Sequence, residues 1–106
     1  MMRAIRPLLV LAAILSLAGA LSFAQSSGEA VYKAKCQSCH GAAGTPSAGM
    51  AKMMNIKAAT DPDIKKLTAD QMFDSVKNGK GKMQPFKDKL TDQQIMDSVT
   101  YYRKLK

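Results

Sequence analysis

A chain of 106 residues, 46% hydrophobic, with 6% aromatic residues and no tryptophan, is too short for a doubly wound nucleotide fold, a TIM barrel or a multi-spanning membrane protein. Its 16 basic and 8 acidic residues give a formal charge of +8. Such a charge suits nucleic acid, anionic lipid or an acidic protein partner, and with no Arg cluster and no nucleic-acid motif nucleic acid ranks last. A domain this small buries only about 60% of the surface it exposes when unfolded, and commonly needs a disulfide, a metal or a cofactor to hold it together.

Met1 to Arg6 form a short basic segment, Leu8 to Leu21 are almost continuously apolar, and Ser22-Phe23-Ala24 offers a small-x-small cleavage site. Residues 1–24 therefore read as a secretory signal peptide and 25–106 as one exported domain, expected in the bacterial periplasm without stable membrane insertion. The apolar run falls short of the roughly 20 residues that a membrane span needs. Ala20 stands where a lipoprotein signal would carry cysteine, so no lipid anchor is expected.

Ser26-Ser27-Gly28-Glu29 has the spacing of a capping box and predicts a helix that continues without Gly or Pro to Gly41. Gly41, Gly44, Pro46 and Gly49 mark a loop, and Met50–Ile56 a short helical turn. Asp61-Pro62 suits an N-cap with Pro at the first helical position. Thr68 to Gln71 and Thr91 to Gln94 are two more capping boxes. The first opens a helix with Met72, Phe73 and Val76 on its apolar face and Gly79 at its stop, and the second a helix burying Ile95, Val99 and Tyr102. Lys80 to Leu90, with Gly81 and Pro85, should be irregular. No alternating apolar–polar run suggests strands, so the fold class is all-α.

Cys36-Gln37-Ser38-Cys39-His40 is C-x-x-C-H, the pattern of covalent haem attachment. Two thiols three residues apart can each bond one vinyl group on the same porphyrin edge, and the next residue then offers the iron an imidazole nitrogen. A disulfide closing so short a loop would add little stability. A thioredoxin-like pair requires a βαβ setting, and zinc requires three or four ligands. His40 is the only histidine, so a second protein ligand to iron must be of another type, and methionine is the natural candidate.

Beyond the signal the methionines are Met50, Met53, Met54, Met72, Met83 and Met96. Met72 and Met96 fall on helices, and Met53 and Met54 in an apolar stretch expected to line the pocket or core. Met83 alone lies in an irregular loop, flanked by Gly79, Gly81 and Pro85, where its side chain can turn inward. It is the predicted sixth ligand.

These features together resemble the class I c-type cytochromes: Gly28 and Tyr32, then Cys36 to Gly41, then Gly79 to Phe86, then Leu90-Thr91 leading to Ile95, Val99 and the segment Tyr101 to Leu105. The resemblance implies a small cytochrome c fold, with three to five helices wrapped around one covalently attached haem c. It also implies that the first and last helices cross at Gly28 near Tyr101, and that the Pro46 carbonyl accepts a hydrogen bond from His40. The family usually has Pro directly after the ligating Met, where this chain has Gln84, with Pro85 one later. Pro85 still keeps Gln84 extended.

The expected function is a monomeric single-haem electron carrier, not an enzyme, with Cys36 and Cys39 holding the haem and His40 and Met83 binding iron. The alternative is a haem-based ligand sensor or peroxidase-like protein with a labile Met ligand. Lys77, Lys80, Lys82, Lys87 and Lys89 surround Met83 in the sequence, so acidic oxidase or reductase partners are expected to dock near Lys80, Lys82 and Lys87.

Overall fold

Why helices begin and end where they do is explained by short-range hydrogen bonds. The computed structural model describes residues 27–106; the expected signal peptide, Gln25 and Ser26 of the first capping box lie outside the described residues. Residues 27–35 form α1. The expected unbroken helix instead bends at Cys36 (φ −118°), and α2 (Gln37–His40) follows. The amide ladder crosses the bend, with Cys36 N–H donating to Tyr32 O (2.9 Å) and His40 N–H to Cys36 O (3.0 Å). Gly41 (φ 85°) then turns the chain away; a Cβ there would strike the Thr45 carbonyl oxygen.

The next helix, α3 (Ala48–Met54), starts two residues before the expected Met50 because the Ser47 side chain accepts a hydrogen bond from Met50 N–H (3.2 Å). It stops before Ile56 because Asn55 turns left-handed (φ 56°). In α4 (Pro62–Lys65) Asp61 caps as predicted, accepting from Asp63 N–H at 2.9 Å.

Both remaining capping boxes form. At the start of α5 (Ala69–Asn78), Thr68 Oγ1 accepts from Gln71 N–H while Gln71 Oε1 accepts from Thr68 N–H. Thr91 and Gln94 do the same for α6 (Asp92–Tyr102). Counting α1 and α2 as one bent helix, the described residues hold five helical segments and no strand, only an isolated bridge between Lys80 and Met83.

The core lies between α5, the 86–90 segment and α6, where Met72, Phe86, Leu90, Ile95 and Val99 bury one another. Ile95 is completely inaccessible. Helix α1 joins through Tyr32, which is 1% exposed and lies 5.2 Å from the Tyr101 ring centroid. Gly28 makes the crossing of α1 and α6 possible, because a Cβ would land on the Asp97 carbonyl oxygen, one turn before Tyr101. The resemblance implied that approach near Tyr101; the backbones meet at Asp97 and the rings at Tyr101.

Candidate cofactor site

One helical turn carries all three residues of the C-x-x-C-H motif's chemistry. Cys36 stands at the bend and Cys39 and His40 on α2, and both cysteines are unbridged and half-buried. Burial first, and then the neighbouring Cys39, pushes the Cys36 thiol up to about 11, so it is protonated at neutral pH. That is the opposite of the activated thiolate of a redox pair. Burial also lowers the pKa of His40, which keeps its imidazole neutral and able to offer a lone pair.

Nearby aromatic residues fix the position of His40. The Tyr32 hydroxyl donates to the Gly41 carbonyl at 2.6 Å, and burial keeps that hydroxyl protonated. Tyr102 sets its ring edgewise to the imidazole, with centroids 5.6 Å apart. These contacts were not identified from sequence. The signal was present: Tyr32, Cys36 and His40 are spaced i, i+4 and i+8, one face of a helix.

The Nδ1 atom of His40 is buried and has no hydrogen-bond partner. The bond to the Pro46 carbonyl implied by the resemblance is therefore absent. The segment Thr45-Pro46 lies against the Gly41 backbone, one residue past the imidazole.

Met83 is half-buried and packs against the core cluster formed by Met72, Phe86, Leu90, Ile95 and Val99. Tyr102, the residue that touches His40, packs against the same cluster. The stretch expected to be irregular contains a tight turn, in which Lys80 N–H donates to Met83 O (3.1 Å) and Met83 N–H to Lys80 O (3.0 Å). Gly81 occupies its first central position at φ 58°, and Lys82 the second without a positive φ, the signature of a type II′ hairpin turn. Below the turn, Phe86 N–H and Lys87 N–H donate to Val76 O and Lys77 O, satisfying the carbonyls at the end of α5.

The other methionines divide by helix register. Met72 is buried in the core and Met50, Met54 and Met96 are half-buried, but Met53 is 62% exposed. Of its two expected places, the pocket or the core, the core is therefore excluded. With α3 beginning at Ala48, the half-buried face is Met50, Ala51 and Met54, and Met53 points about 100° away from Met54.

Among the described residues no three His, Cys, Asp or Glu side chains gather as a metal cluster. A surface depression of about 310 Å³, lined by Leu67, Gln71, Asp74, Ser75, Gly79 and Lys80, contains no thiol, imidazole or thioether. The residues fit a haem. Two free thiols precede, on the same helical turn, an imidazole that is held neutral by burial and whose Nδ1 is buried without a partner. Half-buried apolar side chains, including Val31, Ile64, Leu67, Phe73 and Val76, adjoin the same core.

Residues 23–101 match the family model described as cytochrome C oxidase, cbb3-type, subunit III. Among solved structures, the chain is similar to the KustC0563 c-type cytochrome (26% identity, TM-score 0.67), over 74% of this chain and 96% of that one. A tyrosine-to-phenylalanine mutant of Kustc0563 matches at 24% identity with a TM-score of 0.66, over 76% of this chain and 99% of that one. No curated protein matches the sequence.

Proposed function

Since the chain belongs to the family of the cbb3-type cytochrome c oxidase subunit III, and thus to the c-type cytochromes, we propose that it is an exported, single-haem electron carrier with His40 and Met83 as axial ligands. Cys36 and Cys39 would hold the group through thioether bonds, one to each vinyl. His40 would coordinate through an imidazole nitrogen, and its buried Nδ1 has no protein partner to compete for it. Met83 would supply a thioether sulfur, which favours Fe(II) and raises the reduction potential. When bound, the haem supplies the one-electron Fe(III)/Fe(II) couple.

The protein's own part is to hold and to exclude. Tyr32 and Tyr102 limit how far His40 can move, and the turn at Lys80 to Met83 fixes the thioether's approach. The apolar core around Met83 keeps water away and lowers the dielectric. The observation that carries this reading is the grouping of Cys36, Cys39 and a neutral, half-buried His40 on one helical turn. Acidic redox partners would dock at the lysine-rich surface around Met83, and their electron-transfer rate would fall as salt rises.

The decisive experiment is extraction and mass. Protein from the periplasm should be red, keep its colour through acid-acetone extraction, and weigh as residues 25–106 plus one haem. Colour lost on extraction would exclude thioether attachment, and an intact Met1 in a membrane fraction would show that the leader is retained.

A further inference from the structure

The lysines around Met83 are not equivalent. Lys82 Nζ donates to the Met53 carbonyl at 2.8 Å, bridging 29 positions of sequence. That oxygen lies in the last turn of α3, where carbonyls lack a helical partner and a cation is favoured. Lys89 Nζ donates to Gln84 Oε1 at 2.9 Å and lies 5.7 Å from the Phe86 ring centroid, whose side chain belongs to the core. Lys80 and Lys87 make no side-chain hydrogen bond or ion pair among the described residues.

We propose that Lys82 and Lys89 are positioning residues that hold the Met83 turn closed from its two sides. Lys82 is the second central residue of the turn, so tying its ammonium to α3 fixes the turn against a separate helix. Lys89 holds the side chain of Gln84, the residue immediately after Met83. A proline at 84 would restrict that position through its ring; here a lysine–glutamine hydrogen bond restrains it. The role assigned to the two lysines rests on Met83 as the sixth ligand.

The test is imidazole displacement of the sixth ligand in the ferric holoprotein, in Lys82→Met, Lys89→Met, Lys82→Arg and the charge control Lys80→Met. Lys82→Met and Lys89→Met should each be half-displaced at roughly threefold lower imidazole, the size of one modest net hydrogen bond. Lys82→Arg keeps a donor and should restore the parent value, while Lys80→Met should match the parent. Amide exchange at Lys80 and Met83 should quicken in Lys82→Met, with the thermal midpoint unchanged. Equal displacement in Lys80→Met and Lys82→Met would make the effect one of charge alone and overturn the clamp, as would no change in either clamp variant. Met83→Ala separates the two ideas: if it kept the near-infrared band of Met-ligated ferric haem, the ligand reading would fail, and amide exchange would still decide the clamp.

Discussion

His40 stands on a helical turn whose amide ladder runs from Tyr32 through Cys36 to Gly41, whereas Met83 closes a two-residue turn whose outside ties are exposed lysines. Both residues reach the same apolar cluster, His40 by way of Tyr102 and Met83 directly. The His40 side is braced by a buried hydroxyl and the Met83 side by solvent-exposed hydrogen bonds, which are each worth much less. Of the two proposed ligands, Met83 should therefore be the one that yields to competitors.

The hardest test of that contrast is Met83→Ala. It should abolish the near-infrared ligand band, open the iron to carbon monoxide and lower the reduction potential, with the spectra of the ferric and reduced protein as readout. Persistence of the band would move the sixth ligand elsewhere and erase the contrast.

Next in size is a pair of core and surface substitutions. Met72→Ala should cost about 2–5 kcal/mol by leaving a cavity in the cluster beneath Met83. Met53→Ala should stay within about 0.5 kcal/mol, since its side chain is exposed. Denaturant titration of the two holoproteins measures both, and neither should alter the ligand band.

Tyr32→Phe probes the opposite side. It removes only the hydroxyl that Gly41 O accepts, and should cost about 1–3 kcal/mol because that carbonyl loses a buried partner. Thermal unfolding of the holoprotein checks it, and a loss within error would show that the His40 side is no better braced than the Met83 side.

The smallest effect should come from Gln84→Pro. A rigid residue there should raise the imidazole concentration needed for displacement by a few-fold, a change under about 1 kcal/mol. Easier displacement would mean that the Lys89–Gln84 hydrogen bond restrains the turn better than a proline ring does.

Much of this arrangement was legible in the chain before any coordinates. Thr68 with Gln71, Thr91 with Gln94 and Asp61 with Asp63 are partners within three residues, so their hydrogen bonds depend on little beyond local geometry. The grouping of Cys36, Cys39 and His40 is local for the same reason. That Met53 lies outside the core was not legible because apolar identity alone says nothing about register, which a single cap at Ser47 decided. The turn at Met83 was read only as irregular, since Gly81 signals a bend but not the pairing of Lys80 with Met83.

By itself, then, the sequence determined the helical class, the capped starts of α4, α5 and α6 and the motif on α2, because each rests on side chains a few residues from the backbone groups they satisfy. Only the tertiary structure decided that Tyr32 would brace Gly41, that Gly28 would meet Asp97, and that Lys82 would reach Met53. Tyr32 and Gly41 share the bent helix's local spacing, but that hydrogen bond also needs the side chain buried against Tyr101 and Tyr102. The other two join groups far apart in the chain, and such contacts exist only once burial of Ile95, Val99 and Phe86 has brought their helices and loops together.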